Sequence, residues 1–253
     1  CSSRVAGQTW TVLKDTLSTR GGSWMCVTVK NIFLKHSSSM KQRCENILRN
    51  AEPFREGKRG CVSVSYVDGS LYAVKSAKDV HGVVAMVRKE HDMNLAANDV
   101  GCGPEVVAYV EEEDVLIRRF VEGWGLRMFL RCNADDRSVQ RDVFSDLLET
   151  CYVLDEAGIR RPELGNPYKD VIVTPSTECV VIDWERARYA EDPRNVAQFT
   201  QFMLRASTAS MLGIRVSVED KKRVASFTQR YMESRSRSAF DELKRVMISF
   251  YRA

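Results

Sequence analysis

The chain has 253 residues, 44% of them hydrophobic and 28% charged, which suits one large domain or two closely packed lobes with a buried core. Its 38 Lys and Arg against 34 Asp and Glu leave a formal charge of +4, too small for a protein whose main task is to coat phosphate backbones, so a nucleic-acid partner is not expected. With 14 Gly and 6 Pro, collagen-like and low-complexity chains are excluded.

Eight cysteines, at 1, 26, 44, 61, 102, 132, 151 and 179, form no CxxC and no Cys–His grouping, which argues against zinc. Cys151 in DLLETCYVL and Cys179 in TECVVIDW stand in apolar stretches, where a reduced thiol behaves as a small hydrophobe. That usage points to a reducing intracellular compartment, cytoplasmic or that of a processed organellar protein. No stretch approaches 18 consecutive apolar residues, so no membrane span is expected. The opening CSSRVAGQTW has neither the charged nor the apolar part of a leader, and the absent initiator Met is consistent with a processed form.

In chain order, residues 1–53 read as an N-terminal extension: a short strand at Trp24 to Val29, then Ser37 to Ser39 before a helix. That helix, SMKQRCENILRNA, has Met40, Cys44, Ile47 and Leu48 at helical spacing and stops before Pro53. Residues 54–76 then alternate Val62, Val64 and Tyr66 with Ser63 and Ser65, turn at Asp68-Gly69 and continue as LYAVK, which predicts a hairpin. A helix is predicted over 79–98, ended by Gly101 and Pro104. Two strands, VVAYV and DVLIRRF, follow it.

From Ser138, Val143, Phe144, Leu147, Leu148, Cys151 and Tyr152 recur at threes and fours, a helix stopped by Gly158. The strand pair VIV and CVVID comes next, then three helices near 195–211, 217–234 and 238–252, with Asn195 and Ser217 as N-caps. Strands with one helix, then mostly helices, predict an α+β fold.

Several residues carry chemistry. Gly57-Lys58-Arg59-Gly60 lets backbone N–H groups approach an anion, although two glycines three apart also make an ordinary turn. Lys75 ends a strand, where a lysine can grip the phosphates of a nucleotide, and Glu90 on the following helix can hold it in an ion pair. Asp183 follows Val180-Val181-Ile182, so a buried strand delivers a carboxylate suited to Mg²⁺. Glu163 lies in a loop leading to Lys169-Asp170 and the next strand. His36, His81 and His91 have no metal-binding spacing, and no GxSxG elbow is present.

GKRG (57–60), LYAVK (71–75), the Glu90 helix with VGCGPEVVAYV (100–110), VLIRRFVEGWGL (115–126), LDEAGIRRPELGNPYKDVIV (154–173), VVIDWERAR (180–188) and DPRNVAQFTQFM (192–203) together resemble the protein-kinase-like fold. The likeness is to its atypical Rio-type branch, and within it to small archaeal-type Ser/Thr kinases, over about residues 54–205. It implies a bilobal chain: a small antiparallel-sheet lobe with one helix at 54–122 and an α-rich lobe at 123–253.

By that resemblance Gly57 and Gly60 would cover the phosphates of ATP, Lys75 would contact them, and Glu90 would pair with Lys75. Asp183, with Asp170, would hold Mg²⁺, and Glu163 would orient the acceptor hydroxyl. Residues Ile117 to Gly123, with Ile117, Phe120 and Glu122, would form the hinge beside the adenine. The chain departs from the family's usual pattern where the chemistry is: Glu163 replaces the aspartate of H-R-D, Lys169-Asp170 stands in the region of the usual Asn, and D-F-G becomes Asp183-Trp184-Glu185. No activation segment of the A-P-E type follows. The function implied is an ATP- and Mg²⁺-dependent phosphotransferase, an atypical protein Ser/Thr kinase with a protein substrate. The alternative is an inactive pseudokinase that scaffolds protein partners.

Overall fold

The computed structural model describes residues 3–5, 8–10, 39–57, 60–78 and 84–251. The strand expected at Trp24 to Val29, His36, His81, the first five positions of the helix expected from 79, and Lys58 and Arg59 lie outside the described residues. Strands β1 (Ser3–Val5) and β2 (Gln8–Trp10) pair antiparallel. Residues 39–49 form helix α1, ahead of β3 (Glu52–Glu56), so the boundary expected at 53/54 falls inside a strand. β3 is the sheet edge, where Pro53 costs no ladder bond.

Asp68 and Gly69 both adopt positive φ, 50° and 73°, the backbone a two-residue hairpin needs. They join β4 (Gly60–Val67) to β5 (Ser70–Ala77). Helix α2 (Val84–Asn98) leads to β6 (Val106–Val110) and β7 (Val115–Arg119). The result is a five-stranded antiparallel sheet in the order β3-β4-β5-β7-β6.

Pairing fixes the two faces of this sheet. Val74 stands opposite Ile117 and Ser65 opposite Tyr72, and Val67, Tyr72, Val74, Ala108, Val115 and Ile117 form one core with Cys44 and Ile47 of α1. The other face carries Ala73, Lys75, Leu116 and Arg118 and meets α2, which packs on β5, β6 and β7. Consequently the alternating set Val62, Val64 and Tyr66 is the less buried one: Ser65 is fully buried while Tyr66 is 67% exposed. α1 claims the opposite face, and α2 stops short of β4.

Below the sheet, β8 (Trp124–Gly125) and α3 (Leu126–Cys132) precede α4 (Arg137–Glu156). β9 (Ile159–Arg160), β10 (Val171–Val173), β11 (Cys179–Val181) and β12 (Arg188–Tyr189) make two small sheets, β11-β10-β8 and β12-β9. Then come α5 (Asn195–Met203), α6 (Ala206–Met211), α7 (Val218–Ser234) and α8 (Arg237–Ser249).

The single helix expected at 195–211 is thus two. The Leu204 N–H closes α5 on Thr200 O, and Arg205 is extended at ψ 139° before α6 begins. Ser217 caps α7 in a reciprocal box with Asp220, as expected. Asn195 is the first helical residue rather than the cap, because the Asp155 carboxylate already accepts its N–H.

The large core joins Phe144, Leu147, Leu148 and Cys151 of α4 to Phe199, Tyr231, Phe240 and Leu243, and draws in Met93 and Ala97 of α2. The architecture is α+β, with one antiparallel sheet and a helical core. Among the described residues no helix is long and apolar enough to cross a membrane, and Cys44, Cys61, Cys102, Cys132, Cys151 and Cys179 are free thiols.

Candidate functional site

Strand alternation turns Lys75 to the face that α2 covers, and Glu90 of α2, fully buried, meets it there. Lys75 Nζ donates to Glu90 Oε2 and to Asp183 Oδ1 at 2.8 Å, with Glu185 Oε2 at 3.8 Å. The second oxygen of Glu90 accepts from Arg118 Nη1 at 2.9 Å. Burial works to lower the Lys75 pKa, but the Glu90 and Asp183 carboxylates raise it above the usual lysine value. Burial likewise opposes ionisation of Asp183, and Lys75, with Arg161 and Arg118 behind it, holds that carboxyl below its usual range.

Asp183 is presented by an unusual backbone. Its φ and ψ are 66° and 72°, a left-handed conformation that costs a non-glycine residue about 1–3 kcal/mol unless its surroundings hold it. Trp184 holds it. The indole is fully buried and its Nε1 donates to Val181 O at 3.1 Å. Gly103, at φ 75°, makes room: a Cβ there would come within 2.8 Å of Trp184 Nε1. The turn that ends α2 is therefore also the seat of the Asp183 segment.

Arg161, 1% exposed, ties the second carboxylate group to the first. Its Nη1 donates to Glu163 Oε2 at 2.5 Å and its Nη2 to Ile182 O at 2.7 Å. Nη2 is also 3.9 Å from Asp170 Oδ1, and the guanidinium lies over the Trp184 ring at 5.5 Å. Arg186 Nε stands 3.2 Å from the other Glu163 oxygen. The Ile182 N–H donates to Asp170 O at 2.8 Å, closing the loop on the Asp183 segment. Burial pushes the Asp170 carboxyl up to about 6, with Arg161 opposing and the Asp183 and Glu163 carboxylates adding to the rise.

Of the residues singled out from sequence, Lys75, Glu90 and Asp183 touch, and Glu163 and Asp170 join them through Arg161. Gly57 and Gly60 close a tight loop, Gly57 N–H to Gly60 O at 2.8 Å. A Cβ on Gly60 would stand 2.5 Å from Ser76 O, so glycine is what lets β4 start against β5. Ile117 does not join the site: its side chain belongs to the α1 face, away from Lys75, and it is paired with both Val74 and Ala108. The Phe120 N–H donates to Leu71 O, and the Phe120 ring meets Phe54 edge-on at 5.5 Å. Glu122 is exposed just beyond.

Among the described residues, the carboxylates with oxygens converging within 4.8 Å are Glu90, Asp183 and Glu185; Asp170 is not one of them. His91 is a packing residue, with Nδ1 at 2.9 Å from Asp92 and its ring on Tyr109. Sequence reasoning missed Arg118, Arg161, Trp184 and Glu185. The signal for Arg118 was a charge inside the apolar run VLIRRF, since an arginine is rarely buried without a partner. Arg161, beside Pro162-Glu163, carried no such contrast. No family model matches this chain, and no curated protein matches it.

Proposed function

We propose that the chain is a protein-kinase-like phosphotransferase of the atypical Rio type that takes ATP with Mg²⁺ and passes a phosphoryl group to a hydroxyl of a protein acceptor. One observation carries the reading. A lysine in the middle of an antiparallel sheet meets a buried glutamate from the next helix and an aspartate 108 residues beyond the lysine. That is the arrangement phosphoryl transfer needs to hold a nucleotide and its metal.

The surroundings fit both groups. Val62, Val64 and Ala73 share the face of Lys75 and offer apolar surface to a purine. The clustered carboxylate oxygens are the hard donors Mg²⁺ prefers. Two separate cores, one under the sheet and one among the helices, support a bilobal arrangement with this site between them.

ATP would supply the phosphoryl group, and Mg²⁺ would neutralise the charge that develops on it. Lys75 would exchange Asp183 for phosphate oxygens while Glu90, fixed by Arg118, keeps the ammonium in place. Asp183, released, would hold the metal with Glu185 or Asp170. Glu163 accepts from Arg161 through Oε2; its Oε1, buried beside Arg186 Nε at 3.2 Å without a hydrogen bond, would receive and orient the acceptor hydroxyl once the exposed Arg186 side chain swings away.

A scaffolding pseudokinase is the second reading. It is favoured by Asp183 being engaged by Lys75 and by Glu163 lying between two arginines. Calorimetric titration of ATP, with and without Mg²⁺, separates the two. The phosphotransferase reading expects metal-dependent binding that Lys75→Ala and Asp183→Asn each weaken about tenfold or more. Absence of binding under both conditions overturns it and leaves the scaffold.

A further inference from the structure

We infer that the acceptor end of this site is built for an acidic protein segment, which seats on the β9–β12 ribbon through Arg160 and Arg188. The word acceptor rests on the phosphotransferase reading; the charge of the ribbon does not. Arg160 stands directly opposite Arg188 in the antiparallel register, and Ile159 opposite Tyr189. Opposed residues share a face, and like charges so placed are destabilising unless something answers them.

Nothing within the described chain does. Neither arginine has a carboxylate within 4.0 Å among the described residues, and Arg160 Nε is buried with no hydrogen-bond partner. The arginine face is open at its β12 side. Arg188 is exposed and Arg160 half-buried, while Ile159, on the other face, is sealed into the helical core, and β12 runs through only five residues, 190–194, before α5 begins. The ribbon is joined along the chain to the carboxylate that would orient the acceptor hydroxyl: Arg161, which follows Arg160, donates to Glu163 Oε2, and Arg186, two positions before Arg188, stands 3.2 Å from Oε1.

Guanidinium forks match carboxylates in paired hydrogen bonds. A peptide with acidic residues beside its acceptor hydroxyl answers both arginines while keeping that hydroxyl near Glu163. A continuous phosphate backbone fits less well. Glu191 and Asp192 follow the ribbon within four positions, Asp192 already held by Arg194 and Arg235, and Tyr189 is a lone exposed aromatic rather than one of a stacking series.

The test is fluorescence anisotropy on the full chain without nucleotide, using a short labelled peptide of alternating Glu and Ser. A Lys–Ser peptide and an oligouridylate of equal length are the comparison probes. The acidic peptide should bind best, with an affinity that falls as salt rises. The double substitution Arg160→Gln with Arg188→Gln should weaken it about tenfold or more. Arg188→Glu sets opposite charges across the ribbon, so it should keep or raise the melting temperature and abolish peptide binding.

Equal binding of the acidic and basic peptides, binding unchanged by the double substitution, or tighter binding of the oligouridylate would each overturn the inference. ATP titration of the same samples keeps the two readings apart. Peptide binding that depends on the arginines in a chain that ignores ATP removes the phosphotransferase and leaves the acidic-segment site.

Discussion

Asp155 does at the scale of one residue what a helix cap ordinarily does from the next position in sequence. Its carboxylate, from the last turn of α4, accepts the N–H and Nδ2 of Asn195 at 2.8 and 2.9 Å, the Val196 N–H at 3.3 Å and the Tyr231 hydroxyl at 3.0 Å. This satisfies the start of α5, whose N-cap Arg194 offers no side-chain bond. Burial nonetheless dominates and pushes the Asp155 carboxyl up from 3.8 to about 6, against those hydrogen bonds. A folded value above the unfolded one means that the native chain binds the extra proton. The stabilisation from this group is therefore full below about pH 4 and is lost as pH rises through about 6. Asp155→Asn removes that titration, so the gap in melting temperature between wild type and variant should narrow from about pH 4 to about pH 7. A gap that widens over the same range would show the carboxylate to be stabilised in the native state, contrary to this argument.

At the scale of elements, Arg161 fastens the loop carrying Glu163 and Asp170 to the segment carrying Asp183. Its own N–H donates to Asn195 Oδ1 at 2.8 Å, which extends the tie to α5. Removing a buried cation that holds a buried carboxylate costs about 3–5 kcal/mol, and Arg161→Met should lose that much in urea unfolding. Arg161→Lys keeps the charge but not the fork that reaches both Ile182 O and Glu163, so its loss should be intermediate. A methionine variant within about 1 kcal/mol of wild type would mean that the loops are held by packing alone. Elements with strong local signals were legible in the sequence: the Asp68-Gly69 hairpin, the three-and-four spacing of α4, the Ser217 cap. Lys75 and Asp183 were legible too, because a charged residue following an apolar run stands out, and Glu90 was legible only as the acidic partner the next helix could offer to Lys75. β8 and α3 were not, being too short for a period to show. The break at Arg205 was hidden because ASTASM continues a helical pattern and only the extended backbone interrupts it. The buried face of β4 was misleading for a tertiary reason: alternation reports two faces, and α1, distant in sequence, decides which is covered. Arg161 was missed for the same cause, since its partners come from three separate segments.

Across the whole molecule the two cores differ greatly in extent, and that difference predicts where the chain yields first. The helical core runs from Met93 to Tyr251 through most of the helices, whereas the sheet core is a single layer under α1. Ile47, fully buried, and Cys44 are the α1 side chains buried in it, packed with Tyr72, Val74 and Ile117, and Leu48 packs partly buried against them. Arg43 adds a hydrogen bond to the Tyr72 hydroxyl. Lys75 lies on the opposite face of the same strand, so the cover that α1 gives to Tyr72 and Val74 also keeps the lysine in register with Glu90. Ile47→Ala opens a cavity in this thin layer and should cost about 2–5 kcal/mol. With so few neighbours to share the loss, it should be local. Amide exchange should quicken in β4, β5 and β7, while α4 and α8, whose contacts lie wholly in the other core, keep their protection. If protection falls equally in both regions, the two cores unfold as one unit, and α1 supports the entire chain rather than the sheet that carries Lys75.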